Sequence, residues 1–201
     1  MKTNFLKLSL LALVLFTASC SNDDDKETEE VIPAVVTQQA SDISAIEGFT
    51  KFSFSENKVV TTDKWDIAFN GTTIIVNGGV KGATTGEPER TGQGAVSIVS
   101  NAFASVTAIP EATTFVQDAA TVYAIPKGSG KGWYNYDINS HLIAPIAGKV
   151  FVIKTHDGKY SKFEILSYYK GNPVTPDPLK TEDTGFYTFN FAYQANSTTT
   201  F

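Results

Sequence analysis

From about residue 41 onward, short apolar stretches alternate with turn residues, a pattern that predicts strands rather than helices. Residues 49–54 form the first stretch. Residues 65–69 and 72–76 follow, separated by Asn70-Gly71, a dipeptide suited to a tight hairpin turn. Residues 79–94 carry Gly, Thr, Pro and charge without periodicity and read as a long loop. Residues 95–99 form another strand candidate. Within the ambiguous stretch 101–125, residues 115–120 suit a short helix. The last third is the most regular. Residues 149–155 and 159–169 are β-rich and meet at Asp157-Gly158, read as a two-residue turn. In the second of these, Ser161, Phe163, Ile165 and Ser167 fall on one face, with Lys162, Glu164 and Leu166 on the other. Residues 185–193 alternate in the same way, aligning Tyr187, Phe189, Phe191 and Tyr193. A Pro-rich crossover, residues 171–178, joins the two. The expected fold is all-β with minor helix, a single domain over residues 41–201.

The N-terminus follows a different rule. Lys2 and Lys7 precede an apolar run, residues 8–16, and then Ala18-Ser19. That order is a secretion signal over residues 1–19, and the run is too short to span a bilayer. Cys20 follows directly and is the one Cys of the chain. The site resembles a lipobox, with Thr17 where Leu is favoured, so Cys20 is the expected lipidation site and the lipid the expected membrane anchor. Each buried methylene of an acyl chain contributes about 0.8 kcal/mol. Residues 20–40 begin with an acidic, apolar-poor run and are expected to be a disordered tether.

Composition agrees with strands: 14 Phe, 8 Tyr and 15 Gly in 201 residues. A net charge of −5 argues against a nucleic-acid partner, which needs clustered Lys and Arg. With one Cys and Met1 as the sole Met, an internal disulfide, a Cys-based zinc site and thioether ligation by a mature chain are all excluded. Gly128-Ser129-Gly130-Lys131-Gly132 lacks the Ser or Thr and the helix of a phosphate loop. No nucleophile elbow is present, His156 and Asp157 are neighbours in a turn, and Asp66 and Glu164 stand isolated, so no enzyme is expected.

Two imidazoles remain, His141 and His156. Imidazole binds transition metals and haem iron. His141 lies in an aromatic stretch with Trp133, Tyr134 and Tyr136, whose rings suit a flat ligand. From the residues alone, a solvated loop His is the favoured account of His141, and a solvated turn His that of His156.

The segments Trp65-Asp66-Ile67-Ala68-Phe69, Val76-Asn77-Gly78-Gly79, Trp133-Tyr134-Asn135-Tyr136, and the run from Lys149 through Asp157-Gly158-Lys159-Tyr160 to Tyr169 together resemble the HmuY family of haem-binding lipoproteins of Bacteroidetes. The resemblance covers about residues 41–194. It implies a β-rich fold shaped like a right hand, with haem gripped at one end. It also implies a hemophore, a surface lipoprotein of the outer membrane that passes haem to a TonB-dependent receptor. The acidic run after Cys20 is similar to the surface-export signal of such lipoproteins. Family members ligate iron through two His or two Met. Here the implied axial ligands are His141 and His156, the latter at a hairpin tip, with Tyr134 and Tyr136 as further donors and Trp133, Tyr134 and Tyr136 as pocket walls. The rival expectation is a lipoprotein of the same fold that binds a glycan or a protein partner instead.

Overall fold

The structure, a computed structural model, describes residues 35–201; the signal segment and Cys20 lie outside them. Eleven strands are present among the described residues: β1 (Thr37–Ser44), β2 (Thr50–Ser53), β3 (Lys58–Val59), β4 (Ile67–Asn70), β5 (Thr73–Val76), β6 (Ala95–Ser100), β7 (Tyr134–Tyr136), β8 (Ile143–Pro145), β9 (Lys149–Lys154), β10 (Tyr160–Tyr169) and β11 (Thr184–Gln194). Three short 3-10 turns complete the regular structure, and no α-helix occurs among these residues. The all-β expectation holds.

The strands form a five-stranded antiparallel sheet, in the order β1-β11-β10-β9-β6, a four-stranded sheet, β3-β2-β4-β5, and a separate hairpin, β7-β8. Alternation explains why the two sheets face each other. Phe163 and Ile165 of β10 and Phe189 and Phe191 of β11 point to one side and meet Phe52, Phe54 and Phe69 from the smaller sheet. The rings pack mainly edge-on or tilted, with Phe52 and Phe189 centred 5.2 Å apart and Phe69 and Tyr187 4.4 Å apart. Such aromatic pairs stabilise beyond the area they bury.

Several expectations change in the structure. Strand β1 starts at Thr37, inside the stretch read as tether, and pairs with β11 while burying Ala40. Residues 115–120 are extended: Val116 bridges to Val96 and Asp118 to Gly79. The helical turn falls earlier, at Ala112–Thr114. The turn between β9 and β10 has three residues, because Thr155 and Lys159 still pair and Gly158 adopts a left-handed φ of 84°. That is the type I turn with a bulge.

The strand alternation in β10 also breaks. Its register with β11 shifts between Ile165 and Ser167, so Ser167 pairs with Thr188 and Tyr168 takes the core position beside Tyr187. One extra residue in a bulge reverses the facing of all that follow. The outer face of the larger sheet is covered too, by Phe103, Val106 and Phe201 against Val150, Val152 and Ala192. Lys162, on that outer face, is therefore buried. Its ammonium donates to the carbonyls of Phe103 and Val106 and lies over the rings of Phe103 and Phe201.

Candidate functional site

The stretch that carries His141 is the β7-β8 hairpin, which sequence patterning did not resolve. Strand β7 is three residues long and follows Trp133, a fully buried anchor. The Trp133 indole N–H donates to the Thr72 carbonyl at 2.9 Å, and its ring packs on Tyr134, Tyr168 and Tyr187. At the far end, the Ile143 N–H donates to the Tyr169 hydroxyl at 2.8 Å, fixing β8 to the end of β10. The Tyr136 N–H donates to Ser129 Oγ. The hairpin is thus bound at both ends to larger elements.

Its loop is shaped by Asp137. The carboxylate accepts the Asn139 N–H and the Ser140 hydroxyl, each at 2.9 Å, and the Asp137 N–H donates to the Leu142 carbonyl. The Asn139 N–H, then the Ser140 hydroxyl, hold the Asp137 carboxyl below the ordinary carboxylate range. His141 closes the loop with φ at 57°, a left-handed conformation uncommon outside Gly and concentrated at functional sites. Its side chain is exposed. Nδ1 lies 2.7 Å from Tyr136 Oη. With Nδ1–H donating to that hydroxyl, Nε2 keeps a free lone pair, the arrangement found where a second group orients a metal-binding imidazole.

His141 stands at the lip of a cleft of about 320 Å³. The cleft is lined by Leu142 and Ile143 from the hairpin, Tyr169 from β10, Pro178 and Thr181 from the crossover, and Thr184 at the start of β11. The hairpin and the crossover that contribute to it also expose apolar side chains: Tyr136 and Ile138 at 41% and 68%, and Val174 and Leu179 at 104% and 87%. Apolar groups concentrated beside a cleft mark a surface for an apolar ligand or partner.

His156 is placed elsewhere. It lies in the turn before β10, whereas His141 lies against the other end of that strand, so the two are separated by roughly the length of a ten-residue strand, on the order of 30 Å. A metal–imidazole bond is about 2 Å, so one iron cannot reach both in this fold. His156 is also engaged: its Nδ1 and its backbone N–H lie 2.8 and 2.9 Å from Asp66 Oδ1. Asp66 is fully buried and its Oδ2 accepts the Phe54 N–H at 2.8 Å. The hydrogen bond to Asp66 raises the His156 pKa, with burial opposing. Among the aromatics, Tyr136 reaches the site, Tyr134 is half-buried behind it, and Trp133 belongs to the core that supports the hairpin.

Sequence reasoning missed one further constellation. Burial raises the pKa of Asp118, which accepts the N–H groups of Val76 and Ala124 and pairs with Arg90 at 2.9 Å. Arg90 also pairs with Glu87, and Glu87 accepts the Tyr123 hydroxyl. Against burial, the Gly82 N–H, Tyr123 and Arg90 hold the Glu87 carboxyl below its ordinary range. This buried cluster pins the long loop of residues 79–94 to the body. It borders a larger cleft of about 780 Å³, lined by Thr84, Val122, Tyr123, Pro126, Lys127 and Lys131 among others. That cleft holds no imidazole, and its one phenol is committed to Glu87 and Thr84. Of the two clefts, only the smaller has an imidazole at its edge.

Two facing antiparallel sheets, with an open cleft lined by Leu142, Ile143 and Pro178 and an exposed imidazole at its lip, define a β-rich protein with a candidate ligand site. The family model described as HmuY protein matches residues 46–191, and the chain belongs to that family. Two solved structures share the fold. The apo HmuY analogue of Tannerella forsythia is 15% identical over 82% of this chain and 99% of its own, with a TM-score of 0.53. A Bacteroides fragilis protein described as a lipoprotein is 15% identical over 79% of this chain and 89% of its own, with a TM-score of 0.51. A Bacteroides vulgatus protein described as HmuY-like and heme binding is 19% identical over 79% and 92%, with a TM-score of 0.49. No curated protein matches the chain significantly.

Proposed function

We propose that this protein captures haem in the cleft between the β7-β8 hairpin and the crossover, with His141 Nε2 as an axial ligand. As a lipoprotein anchored through Cys20 on the outer-membrane surface, it would hand the haem to a TonB-dependent receptor. The observation that carries the reading is His141 itself: exposed, left-handed, oriented by Tyr136 and seated at the lip of an apolar-rimmed cleft. Family membership supports it. Haem fits the chemistry of the cleft, since the rim offers apolar contact to a flat ring and the imidazole offers a bond to iron. No catalytic step is needed; binding and release are the whole function.

Haemin titration tests the proposal. The protein should give a saturable Soret shift, and His141→Asn should weaken binding by ten-fold to a thousand-fold, about 1–4 kcal/mol. Asn tolerates the left-handed backbone, so the variant removes the imidazole without distorting the loop. Absence of binding by the wild type in either iron oxidation state overturns the reading. The larger cleft, with Val122 exposed beside Tyr123, Lys127 and Lys131, would then favour the second reading, a glycan or protein partner on the same fold.

A further inference from the structure

Near the β9-β10 turn, the outer face of the five-stranded sheet carries a polar cleft. Ala95 of β6 and Tyr160 of β10 each pair directly with Lys154 of β9, so the three side chains form one row across the sheet. The alternation that turns Val96, Ile153 and Phe163 to the core turns this row outward. Residues 112–117 run beside it. Val116 and Val96 exchange backbone hydrogen bonds at 2.9 Å, and the Ser97 and Thr114 hydroxyls lie 2.8 Å apart. That attachment brings Phe115 to Tyr160, with ring centres 5.8 Å apart and planes at 60°. The Gln93 N–H donates to the His156 carbonyl, and Gln117 Nε2 donates to the Gly94 carbonyl. Both rings, both Gln side chains, Ala95 and Lys154 line the cleft, whose volume is about 340 Å³. Among the described residues, the Gln93 amide, the Gln117 amide oxygen, the Lys154 ammonium and the Tyr160 hydroxyl have no hydrogen-bond partner.

We propose that this cleft binds one pyranose ring of a saccharide. A pyranose has a face of C–H bonds and a rim of hydroxyls. The weakly positive C–H face settles on the negative face of an aromatic ring, which Phe115 and Tyr160 supply. Each hydroxyl both donates and accepts, and so does each Gln amide; Lys154 donates only and adds a charge-assisted bond. A purely apolar ligand would leave the amides and the ammonium without partners. An inorganic anion would leave the rings unused. Small-molecule cavities run from roughly 300 to 1,000 Å³, so the volume suits a single ring rather than a chain of them. The site lies by the β9-β10 turn, a strand's length from His141, and is independent of haem.

The test uses the acyl-free chain beginning at Ser21, which keeps every described residue. Saturation-transfer NMR is run with the methyl glycosides of glucose, galactose and mannose and with glucuronic acid. A ligand this small in an open cleft should have a Kd of roughly 1 mM, which the method detects. At least one sugar should receive saturation, strongest on the ring protons of one face. Tyr160→Leu keeps apolar bulk but loses the aromatic face, and Gln93→Ala trims an exposed amide. Each should weaken binding several-fold with the circular dichroism unchanged. Should Tyr160→Leu fail to fold, Gln93→Ala decides alone. A signal from glucuronic acid only supports the site and narrows the ligand to acidic sugars held by Lys154. Absence of saturation transfer to all four sugars overturns the inference, and so does a signal that either folded variant leaves at wild-type strength.

Discussion

Sealed from solvent, Asp66 takes the N–H groups of Phe54 and His156 together with the His156 ring. It joins the smaller sheet to the β9-β10 turn. Asp66→Ala would strand two backbone donors at about 1–3 kcal/mol each, so a loss of roughly 2–6 kcal/mol is expected in urea unfolding. The same pair sets a pH dependence. His156 has a folded-state pKa above its ordinary 6.5. Its ionic contribution is therefore whole below that value and is lost as the pH climbs through the raised one. The stability gap between wild type and His156→Gln should be wider at about pH 6 than at about pH 9; an equal or wider gap at the higher pH contradicts the assignment. Haemin affinity should not change in His156→Gln, because that residue lies a strand's length from the cleft. The sequence offers His156 as a ligand because it is one of two imidazoles in the chain, the alternative being a solvated turn histidine. Its partner is 90 residues away, and no local pattern reveals a pairing of that range.

At the scale of elements, local signals account for the regular hairpins and the long strands. The β4-β5 hairpin (its turn is Gly71-Thr72, one residue later than the Asn70-Gly71 signal places it), the β9-β10 hairpin and the alternation of β11 all follow from side-chain period and turn chemistry. The β7-β8 hairpin escaped notice because its strands are three residues long and are made by what they lean on: Trp133 below and Tyr169 at the end. The bulge in β10 escaped as well, since nothing in Ile165-Leu166-Ser167 marks an added residue. Both omissions touch the candidate site. Trp133, which the aromatic stretch around His141 offers as a haem-facing ring, supports the hairpin from beneath. Trp133→Phe separates the two roles. It keeps a ring but loses the donor to the Thr72 carbonyl, so stability should fall by about 1 kcal/mol or more while haemin affinity stays within a few-fold. A large loss of affinity with stability intact would restore Trp133 to the pocket wall.

For the whole molecule, the pattern of apolar positions identified the class, because two facing sheets need alternating strands and little else. The site was less legible, since a cleft arises from the relative placement of a hairpin and a crossover far apart in the chain. Attachment to the membrane is a separate proposal, resting on Cys20. Cells given a labelled fatty acid should incorporate it into the wild-type protein and not into Cys20→Ala; a labelled Cys20→Ala would reject Cys20 as the anchor.

Lys162 has a consequence for how opening of the domain can be watched. Burial lowers its pKa, which favours the neutral, nucleophilic amine, yet two carbonyls and two aromatic rings enclose it. A water-soluble amine-modifying reagent should therefore tag the surface lysines quickly and spare Lys162 until the segment carrying Phe103 and Val106 lifts away. The rate at which peptide mass spectrometry finds Lys162 tagged becomes a clock for that motion. Phe201→Ala, which removes one side of the enclosure, should make the clock run faster.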